Sequence, residues 1–211
     1  KLKYGILGSE GSTPEMRAEI EKHWGSGIFC TDNYGMSELN GPGMSGECMY
    51  RDGLHINEDH FLAEIIDPET GEVLPEGSKG ELVFTNLDKE GFPLLRYRTR
   101  DICILSRKKC SCGRTLIKMA KPMGRSDDML IIRGVNVFPS QVEEALMKVS
   151  GIAPHYLIEL YRPNNLDSAV VKVEMLPETF SDKMDELQKL KNRIDREIAA
   201  ITGLHFEIQL V

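Results

Sequence analysis

The sequence predicts a mixed α/β and α+β protein in two parts: a sheet edge joined to a small β-barrel, followed by a small α+β domain. The predicted helices and strands follow one another differently in three stretches of the chain, and these differences predict this fold. Strand-like segments alternate with a helix up to Gly35, and short strands separated by turns follow from about Leu54. Helices alternate with strands again after Gly134. We expect the two parts to span 1–126 and 127–211.

The first part opens with a strand, a helix and a second strand. Lys3–Leu7 alternates in polarity, as a half-buried strand does. The pair Thr13–Pro14 is typical of a helix start, and apolar residues at every fourth position predict an amphipathic helix over 14–24. Ile28–Thr31 is the predicted second strand, and residues 32–35 form a predicted loop.

The middle of the chain alternates with period two in short segments. The predicted strands are Phe61–Ile66, Glu81–Thr85, Ile102–Leu105 and Met129–Ile132. Turn-forming residues at 67–71 and 75–77 separate the first two strands. This pattern predicts a small β-barrel or sandwich.

The second part has the order β-α-β-β-α-β of a compact α+β domain. Ser140 and Glu143 have the spacing of a capping box, which predicts a helix from Ser140 to Lys148. Predicted strands are His155–Tyr161, Ala169–Met175 and Phe206–Val211. A long helix is predicted from apolar residues that share one face, namely Phe180, Met184, Leu187, Ile194, Ile198 and Ile201.

Composition and charge argue against several functions. Hydrophobic residues make up 41% and charged residues 28% of the chain, a balance typical of globular proteins. The net charge of −7 argues against nucleic-acid or anionic-membrane binding, which needs a basic surface. No apolar run approaches the roughly 20 residues of a membrane span. Five cysteines in a chain without a recognisable signal peptide indicate reduced thiols and a cytoplasmic protein.

Two polar segments follow predicted strands. Gly8–Thr13 precedes a helix, where glycines let a ligand approach the backbone and the helix start favours anions. A tight turn with an N-cap is the alternative interpretation. Tyr34–Glu38 offers an aromatic ring for a base, a hydroxyl for a phosphate and a carboxylate for Mg²⁺. The alternative interpretation is that Ser37 and Glu38 open a helix.

Two further polar segments lie later in the chain. In Arg96–Asp101, the carboxylate of Asp101 could accept hydrogen bonds from a ribose diol. A surface ion-pair cluster is the alternative interpretation. Gly124–Met129 is polar and lies where the pattern changes, as expected of a hinge between domains.

Read in order, these segments resemble the motifs of the adenylate-forming superfamily of acyl-CoA ligases, luciferases and peptide-synthetase adenylation domains. Tyr34–Glu38 is similar to that superfamily's Tyr-Gly-x-Ser/Thr-Glu motif. Tyr97–Asp101 is similar to its Tyr-Arg-Thr-Gly-Asp motif, with an arginine in place of the glycine, and Gly124–Asp128 to its Gly-Arg-x-Asp-Asp hinge. Residues 52–60 and Arg133–Pro139 are most similar to phenylacetate-CoA ligases.

The resemblance implies that 1–126 is the C-terminal part of the large AMP-binding domain and that 127–211 is a small mobile domain. It implies that Tyr34 and Gly35 line the adenine pocket, with Tyr34 stacked on the base. The opposite wall would be formed by Gly8, Ser9, Glu10 and Gly11.

The resemblance also implies roles around the phosphates and the sugar. Ser37 would contact the α-phosphate and Glu38 would bind Mg²⁺. Asp101 would bind the ribose hydroxyls with help from Arg125. Asp127 would be the hinge residue.

Further implied roles concern the other two substrates. Gly134 would lie beside the pantetheine channel of coenzyme A. The aromatic acid would lie near Met36 and the loop 41–43. The implied reaction is ATP-dependent: an acid such as phenylacetate forms an adenylate, and then a thioester with CoA.

Two elements of that superfamily have no counterpart between Lys1 and Val211: the phosphate loop and the catalytic lysine. We therefore expect the isolated chain to be inactive and further sequence to precede it. The alternatives are a non-catalytic nucleotide- or zinc-binding module and an adenylylating relative that does not use CoA. A homodimer is a further expectation, because a partial sheet exposes an edge.

Four residues have the composition of a structural zinc site. Cys110 and Cys112 form a C-x-C turn, and Cys48 and His55 lie upstream. Three thiolates and one imidazole are a tetrahedral zinc set. His60 is a rival ligand, and free thiols are the alternative interpretation.

Overall fold

The computed structural model describes residues 2–9, 11–25, 27–161, 168–179 and 184–211. The chain divides into two compact units, Lys1–Asp127 and Asp128–Val211. The division therefore falls one residue after the predicted boundary. Each unit has its own buried apolar core.

One mixed sheet dominates the first unit. Its strands are β1 (Tyr4–Leu7), β2 (Phe29–Met36), β3 (Gly41–Glu47), β4 (Leu54–Ile56), β5 (Phe61–Ile66), β6 (Lys79–Asn86), β7 (Tyr97–Ser106) and β8 (Lys118–Met119). Hydrogen bonds join neighbours in the order β1-β2-β3-β4-β8-β7-β6-β5. The predicted sheet edge and three of the predicted barrel strands are therefore parts of a single sheet. The fourth, predicted at Met129–Ile132, is wrong as a barrel strand, because Leu130–Ile132 pairs with Val135–Val137 in the second unit.

The predicted strand–helix–strand opening is confirmed. Helix α1 spans Pro14–Trp24, and β1 pairs with β2 in parallel. The Thr13 hydroxyl caps the helix by accepting a hydrogen bond from the Met16 N–H at 3.1 Å. The predicted apolar face is wrong in one respect, because Trp24 is exposed and Arg17 is the buried residue of the helix.

The loop predicted at 32–35 is instead part of β2. Strand β3 pairs with this segment, with Tyr34 opposite Ser45 and Met36 opposite Gly41. Gly35 permits the close approach, because a Cβ there would lie 2.2 Å from the Gly41 carbonyl oxygen. Polar residues that look like a loop in sequence are thus held in a strand by backbone pairing.

The sheet of the first unit covers a continuous apolar core. Its buried members come mainly from β3 to β8 and include Phe61, Leu82 and Phe84. At the opposite end of the sheet, Tyr4 and Ile6 of β1 are 73% and 75% exposed. The core therefore lies under the later strands, and β1 is an edge strand with exposed apolar side chains.

The second unit is an α+β domain. A hairpin pairs β9 (Leu130–Ile132) with β10 (Val135–Val137), and a separate sheet has the order β11-β12-β13. Its remaining elements are α2 (Pro139–Met147), β11 (Ile152–Tyr161), β12 (Ser168–Met175), α3 (Met184–Thr202) and β13 (Glu207–Leu210). The predicted order β-α-β-β-α-β is confirmed except for one additional strand, β10, before α2.

The start of α2 differs from the predicted capping box at Ser140 and Glu143. The helix begins at Pro139, whose fixed φ suits the first helical position. The side-chain oxygen of Gln141 accepts a hydrogen bond from the Phe138 N–H at 2.9 Å. The reciprocal cap therefore lies two residues earlier than the sequence pattern indicates.

Helix α3 buries Ile194 and Ile198 against the second core. Phe180, which we assign to the same apolar face from the sequence, lies outside the described residues. No helix among the described residues is long and apolar enough to cross a membrane.

Candidate nucleotide site and thiol cluster

Three predicted site residues from distant parts of the sequence converge in the first unit. The Tyr34 hydroxyl donates a hydrogen bond to Asp101 Oδ2 at 2.6 Å. Asp101 Oδ1 lies 4.0 Å from Arg125 Nη1, and the two backbones form an antiparallel bridge. The convergence follows from topology, because β2 carries Tyr34, β7 carries Asp101, and Arg125 follows β8.

Tyr34 and Asp101 are both partly buried. The Tyr34 ring stacks against Phe84, with ring centroids 6.3 Å apart. Burial raises the pKa of Tyr34, and the carboxylate of Asp101 adds to this rise. Desolvation also raises the pKa of Asp101, opposed by the Tyr34 hydrogen bond and the charge of Arg125. A partly buried carboxylate with such partners can bind a diol strongly.

The Gly8 segment lies beside β2, as its proposed role requires. Leu7 is in register with Asp32, and a Cβ on Gly8 would lie 3.2 Å from the Asn33 carbonyl oxygen. Ser9 has φ of +73°, a turn conformation. Glu10, which we predict as part of the same wall, lies outside the described residues.

A buried ionic network behind this segment was not predicted from the sequence. Glu47 Oε2 accepts hydrogen bonds from Arg17 Nη1 at 2.6 Å and from the Asp32 N–H at 2.9 Å. Lys121 forms an ion pair with Asp32 and donates to the Ser12 carbonyl at 2.9 Å. The network fixes α1 and the Gly8 turn against β2 and β3.

The predicted phosphate and magnesium residues lie just beyond β2. Ser37 and Glu38 form a short 3₁₀ turn, and both are exposed. Lys89 Nζ donates a hydrogen bond to the Glu38 carbonyl at 2.8 Å. Both side chains are therefore on the surface, within four residues of Tyr34.

The arginine cluster of Arg96–Asp101 divides into different roles. Arg98 donates to both carboxylate oxygens of Glu81, at 3.0 Å from Nε and 2.6 Å from Nη2. Glu81 is 0% exposed, so this pair is structural. Arg96 pairs with Glu64 at the surface, at 3.1 Å. The surface-cluster interpretation therefore holds for Arg96 but not for Arg98.

Arg100 stands where the resembled motif has glycine, and its backbone explains that preference. Its φ is +69°, the left-handed region that a side chain disfavours. Arg100 also lies 3.8 Å from the buried carboxylate of Glu81, so two variants that both lose this ion pair are compared. We expect the free energy of unfolding of Arg100→Gly to exceed that of Arg100→Ala by about 0.5–1 kcal/mol in urea denaturation. At Arg107, which has no positive φ, glycine should not be more stable than alanine. An Arg100→Gly variant less stable than Arg100→Ala would contradict the strain argument.

The predicted hinge lies at the end of the first unit. Arg125 donates two hydrogen bonds to Asp127, each 2.9 Å long. The hydrogen bond from Arg125 lowers the pKa of Asp127. In the second unit, Arg133 (φ +52°) and Gly134 (φ +77°) form the turn of the β9–β10 hairpin.

The predicted zinc ligands also come together in the first unit. Cys48, His55, Cys110 and Cys112, which we call the thiol cluster, have ligand atoms within 4.8 Å of one another. The Sγ atoms of Cys48 and Cys110 are 3.6 Å apart, and Cys112 Sγ is 3.5 Å from His55 Nε2. The rival ligand His60 instead contacts Asp88 at 2.5 Å. The C-x-C spacing is thus compatible with a compact four-residue group.

Within the thiol cluster, the pKa of Cys112 is lowered, whereas the pKa of Cys110 is raised, because a backbone hydrogen bond at Cys112 is outweighed by desolvation and by the neighbouring thiols of Cys112 and Cys48. The backbone hydrogen bond at Arg114 contributes most to lowering the pKa of Cys112, to about 7. Desolvation lowers the pKa of His55, which keeps its imidazole neutral. A thiolate and a neutral imidazole are the forms that bind metal ions.

Comparison with known proteins supports a single family. The family model described as AMP-binding enzyme C-terminal domain matches residues 134–211. The chain is 46% identical to phenylacetate-coenzyme A ligase of Thermus thermophilus, covering all of this chain and 50% of the relative. It is 43% identical to phenylacetate-coenzyme A ligase of Escherichia coli, covering all of this chain and 47% of the relative.

Solved structures agree on the fold. 2-Hydroxyisobutyryl-CoA ligase in its postadenylation state, bound to an acyl adenylate, has a TM-score of 0.86 and 25% identity; it covers all of this chain and 45% of that one. Anthranilate-CoA ligase bound to anthranoyl-AMP has a TM-score of 0.67 and 16% identity over all of this chain and 41% of that one. The second likeness concerns the fold alone.

The fold is that of adenylate-forming acid–CoA ligases. Over its whole length, the chain is similar to phenylacetate-CoA ligases. It spans about half the length of the curated relatives that it matches.

Proposed function

We propose that this chain provides the nucleotide-binding and CoA-binding elements of an AMP-forming ligase that activates an aromatic carboxylic acid, with phenylacetate as substrate. The observation that carries the proposal is the convergence of Tyr34, Asp101 and Arg125 within one unit. Those side chains offer a ring for the base of AMP, and a carboxylate with a neighbouring cation for its ribose.

Nucleotide binding would use the residues around Tyr34. Its ring would stack on adenine, opposite the turn at Gly8 and Ser9. Asp101 would accept hydrogen bonds from the ribose hydroxyls, while the Tyr34 hydroxyl fixes the carboxylate orientation. Arg125 would add positive charge on the other carboxylate oxygen. Gly35 would keep β3 close enough to hold the ring in place.

The adenylation step places negative charge on the transferred phosphate. A carboxylate oxygen of the acid attacks the α-phosphorus of ATP, and pyrophosphate leaves. Ser37 would donate a hydrogen bond to the α-phosphate, and Glu38 would hold Mg²⁺, which neutralises the phosphate oxygens. The exposed position of both residues supports this role, because a nucleotide can reach them.

The second step forms the thioester. The thiol of CoA attacks the acyl carbon of the adenylate, and AMP leaves. In this step Gly134 would lie along the pantetheine, and its lack of a side chain leaves the hairpin turn open to a ligand. Rotation of the second unit about Asp127 would switch the enzyme from adenylation to thioester formation. The boundary between the compact units, which follows Asp127, supports that hinge.

The acid would be held near β2 and β3. Met36 pairs with Gly41, so its side chain lies beside the 41–43 segment. Met36 also packs against the apolar core, which gives this region an apolar character suited to an aromatic ring. The names of the relatives favour phenylacetate among aromatic acids.

A chimeric ligase tests the proposal. We define it as this chain joined to the segments of the Escherichia coli phenylacetate-coenzyme A ligase that it does not cover. We expect the chimeric ligase to release pyrophosphate and form phenylacetyl-CoA from ATP, Mg²⁺, CoA and phenylacetate. The isolated chain should give no pyrophosphate exchange, because the resemblance assigns the phosphate loop and catalytic lysine to sequence outside it.

The control is the isolated remainder of the Escherichia coli enzyme, which should also be inactive. Pyrophosphate exchange by the isolated chain would contradict the proposal that the phosphate loop and the catalytic lysine lie outside it. A folded chimeric ligase that binds neither ATP nor AMP would contradict the proposed nucleotide site.

A further inference from the structure

Two tight turns bring the thiol cluster together. The Arg51 N–H donates to the Cys48 carbonyl at 3.0 Å in the first turn, and the Gly113 N–H donates to the Cys110 carbonyl at 3.0 Å in the second. Arg51 and Gly113 both have positive φ, of +51° and +87°. His55 is supplied by β4, between these turns. Ligands from two turns and a strand are therefore fixed by the backbone.

The distances within the cluster suit one tetrahedral metal ion. With zinc–sulfur bonds of about 2.3 Å and zinc–nitrogen bonds of about 2.0 Å, tetrahedral angles separate two sulfurs by about 3.8 Å, and sulfur from nitrogen by about 3.5 Å. The Cys48–Cys110 separation is 3.6 Å, and the Cys112–His55 separation is 3.5 Å. Van der Waals contact gives similar separations for single pairs, so the stronger indication is that all four ligand atoms lie within 4.8 Å of one another.

His55 supplies a second observation that points to a ligand. Its side chain is buried, with the residue 5% exposed, and its Nδ1 has no hydrogen-bond partner among the described residues. Its Nε2 faces only the Cys112 sulfur, a weak hydrogen-bond acceptor. Buried polar groups are almost always satisfied, so an imidazole with only a thiol beside it lacks a strong partner. A metal ion between the thiols would give Nε2 that partner and place the imidazole proton on Nδ1, which has no partner among the described residues.

Positive charge near the thiol cluster would balance the negative charge of a zinc centre with three thiolates. Zinc with three thiolates and one imidazole carries a net charge of −1. Arg114 Nη1 lies 3.5 Å from the Cys112 sulfur. The Arg114 cation offsets the charge of the centre and stabilises the thiolates, whereas the buried Lys118 is ion-paired with Asp52.

We propose that the thiol cluster binds one zinc ion and that this ion braces the narrowest part of the large sheet. The narrow part, which we call the sheet neck, is the pairing of β4 with β8 and of β8 with β7. Each of these pairings joins only two residue pairs: Leu54–Met119 and His55–Lys118, then Leu105–Met119 and Ser106–Lys118. The zinc ion would tie the turn before β4 to the turn before β8.

The sheet neck lies between the two sides of the candidate nucleotide site. In the strand order, β2 with Tyr34 lies on one side of the neck and β7 with Asp101 on the other. Loosening the neck would let these strands move apart, and the 2.6 Å hydrogen bond between the two side chains would lengthen. This consequence rests on the proposed nucleotide function, whereas zinc binding itself does not.

Metal analysis of the purified chain tests the zinc centre. We expect about one zinc ion per chain, and a visible absorption spectrum of a tetrahedral thiolate centre after replacement by Co²⁺. Cys112→Ser should lower zinc affinity by more than about 100-fold, more than the loss of an outer-shell partner. Cys103→Ser is the matched control, because Cys103 is buried outside the cluster; it should keep its zinc.

Several results would overturn the centre. A wild-type chain without stoichiometric zinc and with all five thiols titratable would do so, as would a Cys48–Cys110 disulfide in place of a metal. Equal zinc content in Cys112→Ser and Cys103→Ser would also overturn it, even if both variants fold normally.

Thermal stabilisation by AMP, measured with and without zinc, tests the bracing role. We expect AMP to raise the melting temperature of the zinc-bound chain more than that of the Cys112→Ser chain. If zinc is bound and AMP stabilises both chains equally, bracing is refuted while the centre stands. If AMP stabilises neither chain although zinc is bound, the proposed nucleotide site fails and the zinc centre remains.

Discussion

Replacing Asp101 with alanine in the chimeric ligase should reduce kcat/KM for ATP by at least about 100-fold. A carboxylate that accepts two hydrogen bonds from ribose hydroxyls contributes roughly 1.5–3 kcal/mol through each bond. Loss of both bonds therefore costs roughly 3 kcal/mol or more, which corresponds to about two factors of ten. Steady-state kinetics with varied ATP, at saturating acid and CoA, measures this effect.

Two variants separate binding of the nucleotide from support of the fold. Tyr34→Phe removes the hydroxyl that donates to Asp101 but keeps the ring, so it should cost less than Asp101→Ala. Asp88→Asn changes an exposed carboxylate outside the site, and its activity should match the wild type. If Asp101→Ala remains folded and loses less than about threefold in kcat/KM, the assignment of Asp101 to the ribose is wrong.

Replacing Arg98 with alanine should lower the free energy of unfolding by about 3 kcal/mol, the lower end of the range for breaking a buried pair. Arg98 makes a two-point contact with Glu81, and Glu81 is fully buried. The substitution would leave that carboxylate without its main cation. We choose the lower end because the Arg98 side chain is itself 34% exposed. Urea denaturation of the chain gives the value.

Arg96 is the matched control, two positions away on the same segment. Its contact with Glu64 at 3.1 Å lies at the surface, so Arg96→Ala should cost no more than about 1 kcal/mol. If Arg98→Ala and Arg96→Ala lower the free energy of unfolding equally, burial of the acidic partner does not determine how much an ion pair contributes to stability.

The sequence was sufficient to predict much of the architecture and the convergence of the site. Helix α1 shows its start in Thr13 and Pro14 and its extent in the four-residue spacing of apolar residues. The thiol cluster was recognisable from ligand chemistry alone. The grouping of Tyr34, Asp101 and Arg125 followed from the order of motifs, because a family that binds one nucleotide must fold those motifs together.

Other features depend on partners that lie far away in the sequence, so no local pattern reveals them. The segment 32–35 has the composition of a loop, and only pairing with β3 makes it a strand. Arg17 looks like a solvated helix residue, yet Glu47 on β3 makes its burial favourable. In α2, a proline and a glutamine outweigh the serine–glutamate spacing on which the prediction relied.

The exposed apolar side chains of β1 have a consequence for how stable the isolated polypeptide is. An edge strand with exposed Tyr4 and Ile6 can pair with the same strand of a second copy. When two copies share that edge, unfolding must also separate them. The melting temperature of the chain would then rise with its concentration, whereas a chain that stays monomeric would melt at one temperature at any dilution.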